Sequence, residues 1–240
     1  MAAQAGRFPG FRRAPSQAGR PDLYFPDFRR APNQAGRPDL YELENRAADP
    51  DRLVLAAMRR LAPWRGKVLA DLGCGSGYWL AGYAAEAATV IGIEPDPDLL
   101  RLARGRGAAA TVLPGSAEHL PLADASVDVV HARFAYFWPP GCGPGLAEVL
   151  RVLKPGGTLV VVDNDQRSGE FAALLREAAN PALGRADVTD AWWARRGAER
   201  VTVASRWQFT ARADFEAVLG LEFPARVAGP WLARHPRALG

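Results

Sequence analysis

The chain has 240 residues, 48% of them hydrophobic, and a formal net charge of +4, which suits one large domain or one domain with appendages. No apolar run approaches the roughly 20 residues of a membrane helix, and the opening MAAQAGRFPG lacks the apolar core of a secretory signal. We therefore expect a cytoplasmic protein with no membrane partner. The cysteines and histidines show no disulfide or metal-ligand spacing, so no metal is expected, and the scattered basic residues make a nucleic-acid partner unlikely.

A repeat opens the chain: FPGFRRAPSQAGRPDLY at 8–24 returns as FPDFRRAPNQAGRPDLY at 25–41. The copies agree even at surface-type positions, which indicates a duplicated segment rather than a structural array. Their Pro, Gly and Arg content favours turns and extended chain. We predict that residues 1–41 form a largely disordered basic segment, that residues 42–240 form the folded domain, and that deleting residues 1–24 leaves stability unchanged. The alternative is an arm that contacts RNA or an acidic partner.

Beyond the repeat, apolar runs alternate with helical stretches. An amphipathic helix is predicted at 51–61 and helices at 145–153, 170–179 and 213–221, and buried strands are predicted at 68–73, 89–94, 109–115, 126–132 and 157–165. Near-continuous Val, Ile and Leu runs separated by helices predict an α/β, doubly wound, mostly parallel sheet. After it, only 199–210 reads as an exposed antiparallel strand, so we expect that the sheet either lacks its last edge strand or is finished differently at that edge.

The stretch Asp71-Leu72-Gly73-Cys74-Gly75-Ser76-Gly77 follows the first buried strand and opens a helix. Glycines there let the backbone turn and approach a ligand closely. A dinucleotide fingerprint would have a further glycine where Tyr78 stands, and Asp71 would repel a pyrophosphate. These features oppose an NAD site and predict a ligand that is positive near this loop.

In these residues the chain resembles the class I S-adenosylmethionine (SAM)-dependent methyltransferases, in particular the small-molecule, type 11 group. The resemblance spans roughly residues 41–165 and rests on four blocks in order, VLADLGCGSG, IGIEPDPDLL, GSAEHLPLADASVDVVHA and EVLRVLKPGGTLVVVD. It implies a Rossmann-like methyltransferase fold and SAM as the cofactor. Glu94 would accept hydrogen bonds from both ribose hydroxyls.

The resemblance also implies the residues that surround SAM. They are Asp71, Gly73, Cys74, Gly75, Gly77, Glu94, Pro95, Ser116, Ala117, Glu118 and His131. The family often has Asp at the position of Ser116, beside the adenine amino group, so Ser116 and Glu118 both remain candidates for that contact.

Three residues after the fourth and fifth strands are candidate catalytic groups: His131, Asp163 and Asp165. His131 is the first candidate for a general base because its ordinary pKa lies near neutrality, and the alternative is that it only lines the cofactor pocket. The aspartates are either substrate contacts or solvated loop residues. Candidate substrate contacts are Tyr41, Arg133, Tyr136 and Trp138, each of which has a packing role as its alternative.

The predicted function is methyl transfer from SAM to a small-molecule acceptor through oxygen, nitrogen or carbon. Trp138-Pro139-Pro140 lies too far along the chain to match the motif of methyltransferases that modify base or glutamine amines. The alternatives are a non-catalytic SAM-binding module and an RNA or protein methyltransferase that uses the basic arm. The oligomeric state is left open.

Overall fold

A computed structural model of the chain describes residues 2–6, 36–106, 109–178 and 186–240. The strands are β1 Ala2–Gly6, β2 Val68–Leu72, β3 Thr89–Glu94, β4 Thr111–Pro114, β5 Val127–Arg133, β6 Leu153–Asp163 and β7 Ala198–Thr202. The helices are α1 Pro38–Ala47, α2 Leu53–Leu61, α3 Leu80–Ala84, α4 Pro97–Gly105, α5 Gly143–Val152, α6 Glu170–Ala178, α7 Ala186–Ala194, α8 Arg212–Glu222 and α9 Ala225–Arg234. In these residues no helix is long and apolar enough to cross a membrane.

Five parallel strands form the larger part of the sheet, in the order β4-β3-β2-β5-β6 with β4 at one edge. Their inner residues are apolar and buried on both faces, as in β2, where Leu69 and Leu72 belong to different core clusters. A parallel sheet with both faces covered by helices needs such continuous apolar runs. The predicted α/β, doubly wound, mostly parallel sheet is thus confirmed. Because all five strands point the same way, their carboxyl ends meet at one edge, where ligands of such sheets bind.

The far edge of the sheet is finished by a strand that the sequence pattern did not identify. Strand β1 lies between β6 and β7 and pairs antiparallel with both, with Ala2 opposite Asp163 on one side and Thr202 on the other. The strand predicted at 199–210 ends at Thr202. A local pattern could not reveal that an amino-terminal segment fills the place beside β6, since strand pairing over this distance depends on tertiary structure.

The amino-terminal segment is therefore divided. Residues 2–6 are part of the sheet, and helix α1 begins at Pro38, inside the second repeat copy, where a proline suits the first turn of a helix. Most of the predicted disorder, residues 7–35, lies outside the described residues. Because deletion of residues 1–24 removes β1, we now expect that deletion to lower the stability of the protein.

A helical cap forms a third hydrophobic cluster beside the two that cover the sheet. It joins α1 to α6, α8 and α9, with Leu40 and Ala47 of α1 packed among buried side chains such as Phe215, Val218 and Trp231. The cap places one face of α1 against the carboxyl-terminal helices. The other face of α1 meets the glycine loop described next.

Candidate active site

The glycine loop, residues 73–77, turns sharply between β2 and α3. Gly73, Gly75 and Gly77 have φ angles of 68°, 57° and 79°, in the left-handed region that L side chains rarely adopt. A Cβ on Gly73 would lie 2.7 Å from the Cβ of Ala135, and one on Gly75 would lie 3.3 Å from the ring of Tyr41. The loop can therefore be built only from glycine at these positions.

The end of β3 holds this loop in place. The Ile93 carbonyl accepts hydrogen bonds from the amides of Gly73 and Cys74, at 2.8 and 3.1 Å. Glu94 accepts one from the Gly75 amide at 2.8 Å and one from the Asp96 amide at 2.9 Å. The Glu94 carboxyl is thus oriented by two backbone amides at the edge of the loop.

Both predicted acidic ligands are buried. Burial raises the pKa of Asp71 to about 7, with the charge of Arg133 acting in the opposite direction. Burial also raises the pKa of Glu94 to about 7, although its two backbone hydrogen bonds oppose this shift. A ligand that brings a positive charge and hydroxyl donors would favour the ionised form of both carboxyls. This chemistry fits the ammonium, sulfonium and ribose groups of SAM.

Cys74 has a packing position. Its side chain is buried, and its sulfur would lie 2.9 Å from a Cβ on Gly92 of the neighbouring strand. Burial raises the pKa of the Cys74 thiol far above its ordinary value, so the thiol stays protonated. Pro95 lies between Glu94 and Asp96, whose side chain caps helix α4 by accepting from the Asp98 and Leu99 amides.

The turn after β4 brings the predicted adenine-side residues beside the end of β3. Ser116 and Ala117 are buried and Glu118 is partly exposed. The turn is closed by a hydrogen bond of 3.1 Å from the His119 amide to the Ser116 carbonyl, and β4 pairs with β3 up to Glu94. Ser116, Ala117 and Glu118 therefore share a turn next to the residue implied to hold the ribose.

His131 lies inside the core rather than in an open site. It is fully buried, with its ring edge-on to Trp64 and Tyr83 at centroid distances of 5.1 and 4.9 Å. Neither ring nitrogen has a hydrogen-bond partner among the described residues, and burial lowers its pKa to about 3. A neutral, enclosed imidazole cannot reach an acceptor, and this burial argues against His131 as a general base.

Two of the candidate substrate contacts are engaged elsewhere. The guanidinium of Arg133 stacks on Trp79 at 4.0 Å and points one nitrogen at the sulfur of Met58, 3.2 Å away. The Tyr136 hydroxyl accepts a hydrogen bond of 3.1 Å from the Gly145 amide, and its ring fills the space where a Gly145 side chain would be. Both side chains thus anchor the segment after β5.

Of the other two candidate substrate contacts, Trp138 is exposed and Tyr41 lies close to the glycine loop. Trp138 is 45% exposed at the surface after β5. The ring of Tyr41 lies over Gly75, and burial raises the pKa of its hydroxyl well above the ordinary value. Tyr41 therefore packs its ring against the glycine loop.

A small pocket of about 40 Å³ lies at the end of β6. Asp163, Asp165 and Phe137 all line it, together with three residues that the sequence did not single out: Asp190, Trp193 and Arg200. Burial raises the pKa of Asp163 to about 6, and a hydrogen bond from the Asn164 amide opposes this. Asp165 instead pairs with Arg200 at 3.3 Å. The pocket thus contains one carboxyl, Asp163, whose burial makes it a weaker acid than usual.

The remaining charges of the pocket are paired with each other. Asp190 receives hydrogen bonds from Arg167 and, at 2.7 Å, from Arg200. Asp190 and Trp193 belong to α7, and Arg200 belongs to β7. The sequence around 181–197 carried no clear pattern, and only tertiary packing brings α7 and β7 to the pocket at the end of β6.

The comparisons with known proteins agree with this geometry. A family model described as a methyltransferase domain matches residues 70–161. A malonyl-(acyl-carrier protein) O-methyltransferase of Serratia marcescens is 35% identical over 95 residues, which cover 40% of this chain and 37% of that protein. The ubiquinone/menaquinone biosynthesis C-methyltransferase UbiE of Rubrivivax gelatinosus is 36% identical over 107 residues, covering 44% and 43%.

A solved structure from Thermotoga maritima, described as a SAM-dependent methyltransferase and possible histamine N-methyltransferase, has a TM-score of 0.54. It covers 68% of this chain and 78% of its own, and at 24% identity it shows the fold alone. With the glycine loop and the sheet order, these matches show that residues 70–161 are similar to methyltransferase domains of the class I, SAM-dependent type. The chain spans about a third to a half of the length of the curated relatives it matches.

Proposed function

We propose that this protein transfers a methyl group from SAM to a small-molecule acceptor. The observation that carries the proposal is the glycine loop with two buried carboxyls, Asp71 and Glu94, at the carboxyl edge of the parallel sheet. The matched relatives are named as an O- and a C-methyltransferase, so their names support methyl transfer without fixing the acceptor atom.

The glycine loop and the two carboxyls beside it suit the roles that the family resemblance implies for binding SAM. Asp71 would lie towards the positive methionine end, and Glu94 would accept from the ribose hydroxyls. When bound, the cofactor would supply a methyl group carried on its sulfonium sulfur. The bond from this methyl carbon to the sulfur would break, with a thioether as the leaving group, as its bond to the acceptor forms. The protein mainly holds donor and acceptor in line and excludes water.

Asp163 is the candidate proton acceptor for a hydroxyl or amine substrate. It ends β6 and lines the pocket there, and a pKa of about 6 leaves it ionised at pH 7 to 8 while keeping it more basic than an ordinary aspartate. Phe137 and Trp193 provide apolar walls beside it. An acceptor with an apolar body and one polar group suits this pocket best.

The first experiment is calorimetric titration with S-adenosylhomocysteine (SAH), with NAD as the control ligand. We expect micromolar binding of SAH, none of NAD, and a loss of at least tenfold in affinity for Glu94→Ala. Glu216→Ala removes an exposed carboxylate that pairs with Arg212 on α8, so it should bind SAH as the unmodified chain does. A folded protein that ignores SAH would refute the proposal. Binding of SAH without methyl transfer across an acceptor screen would favour the non-catalytic SAM-binding module.

A further inference from the structure

Helix α1 is fastened to the glycine loop through Glu42. One oxygen of its carboxylate accepts a hydrogen bond from the Ser76 hydroxyl, and the other pairs with the Arg106 guanidinium at 2.5 Å. Arg106 completes the ring of contacts by donating a hydrogen bond of 2.6 Å to the Ser76 carbonyl. The Glu42 side chain therefore contacts both the Ser76 hydroxyl and Arg106, which in turn holds the Ser76 carbonyl.

A second set of contacts supports the same attachment. The Trp79 indole donates a hydrogen bond of 3.0 Å to the buried Asn45, and Asn45 donates one of 2.9 Å to the Tyr41 carbonyl. Tyr41 in turn lays its ring over Gly75. Tyr41, Glu42 and Asn45, which lie within little more than one turn of α1, thus contact the loop and the start of α3.

The physical weight of these contacts follows from how α1 is built. A ten-residue helix is marginal on its own, and α1 has no side-chain hydrogen bond at its amino-terminal cap. Its position therefore depends on what it touches. The Glu42 side chain is 20% exposed and that of Arg106 is 40% exposed, so solvent screens the pair less than it would a fully exposed one.

The two faces of α1 connect the cap to the loop. Leu40 and Ala47 pack into the cap cluster, while Glu42 and Tyr41 contact the loop. When α1 stays in place, the loop is held between β3 below and α1 above. When α1 leaves, Ser76 and Arg106 both lose their shared partner.

We propose that Glu42 is a positioning residue of the cofactor site, which latches α1 over the glycine loop and sets how fast the bound cofactor leaves. The proposal rests on the proposed function for the identity of that ligand. Glu42 acts through Ser76 and Arg106 and takes no part in methyl transfer itself. Loss of the latch should therefore change the dissociation of the cofactor more than its association.

The kinetic test is stopped-flow measurement of SAH association and dissociation, followed by tryptophan fluorescence. We expect Glu42→Gln and Arg106→Gln each to raise the dissociation rate constant about tenfold, with an association rate constant changed less than threefold. Because both substitutions break one latch, the double variant should not exceed the larger single effect. The matched control is Arg101→Ala, which should not change either rate. It breaks an exposed ion pair with Asp98 within α4, the helix that Arg106 follows directly.

The second measurement needs no ligand: amide hydrogen exchange of residues 73–79, in the unliganded protein. Glu42→Gln should speed exchange there while leaving the exchange of β5 unchanged, which a general loss of stability would not do. SAH dissociation within twofold of the unmodified chain, together with unchanged exchange, would overturn the latch and leave the proposed function standing. Faster exchange in a protein that does not bind SAH would support the role of Glu42 in positioning the loop while refuting the proposed function.

Discussion

At the scale of single residues, burial decides which titratable groups can act. His131 carries a neutral ring because Trp64 and Tyr83 enclose it, and its pKa is lowered to about 3. Below pH 6.5 the unfolded chain therefore takes up a proton that the folded chain refuses, so stability falls as the pH falls from about 6.5 towards 3.

We expect His131→Leu to remove that pH dependence. Measured by urea unfolding, the change in the free energy of unfolding caused by His131→Leu should be about 2 kcal/mol more stabilising at pH 5 than at pH 7. Packing changes should contribute equally at both pH values, so the difference isolates the proton. The variant should bind SAH within threefold of the unmodified chain. A folded His131→Leu protein that no longer binds SAH would contradict this assignment.

Asp71 has the opposite character, since its function costs stability. Its carboxyl is buried in β2 and ionises only at a raised pKa of about 7, so at pH 8 the folded chain holds a poorly solvated charge. We expect Asp71→Asn to raise the free energy of unfolding at pH 8 by about 1–3 kcal/mol and to weaken SAH binding at least tenfold. Urea unfolding and calorimetry measure the two effects. A variant that is less stable at pH 8, with binding intact, would refute the assignment.

At the scale of elements, β1 is the part of the sheet most distant in sequence from its partners. It supplies backbone hydrogen-bonding groups to β6 and β7 on both sides, so its removal would leave two facing edges unpaired. We expect deletion of residues 2–6, and also Gln4→Pro, to lower the thermal unfolding midpoint by several degrees, since proline cannot serve a strand paired on both sides. Excision of residues 8–24 keeps β1 and is the control. Equal midpoints for all these chains would contradict the position of β1 in the sheet.

At the scale of the whole molecule, several buried carboxyls act together on the dependence of stability on pH. Burial raises the pKa of Asp71 and Glu94 to about 7, and burial with the nearby charge of Glu222 raises that of Glu44, between α1 and the cap, to about 8. A carboxyl with a raised folded-state pKa contributes stability that is lost as the pH rises through that value. The unliganded chain should therefore unfold at a lower temperature at pH 8.5 than at pH 6.

SAH should reverse part of this loss. Its positive and hydroxyl groups favour the ionised forms of Asp71 and Glu94, so we expect its affinity to rise three- to tenfold from pH 6 to pH 8, with release of protons on binding. Calorimetry in buffers of different ionisation enthalpy measures both quantities. An affinity that falls as the pH rises would show that these carboxyls do not face the ligand.

Much of the fold and of the cofactor loop was predictable because the signals are local. The buried strands are short apolar runs, and Asp71 to Gly77 are consecutive residues in which three glycines adopt backbone angles that other residues rarely do. The position of Glu94 at the end of β3 follows from the apolar run before it, whereas its role beside the ribose was implied by the family resemblance. The pocket beyond β6 could be found only in part, since Asp163 lies at the end of a predicted strand, while Asp190 comes from a segment without a clear pattern and no local signal brings Arg200 of β7 to the pocket.

The sequence by itself determined the alternation of strands and helices and the chemistry of the glycine loop, since both depend on neighbours in the chain. Tertiary structure alone decided that β1 fills the sheet beside β6, that Trp64 and Tyr83 enclose His131, and that Glu42 reaches Ser76. These outcomes join residues tens of positions apart. Their contacts arise only when separate elements pack together, because burial and ion pairing depend on what surrounds a side chain in space.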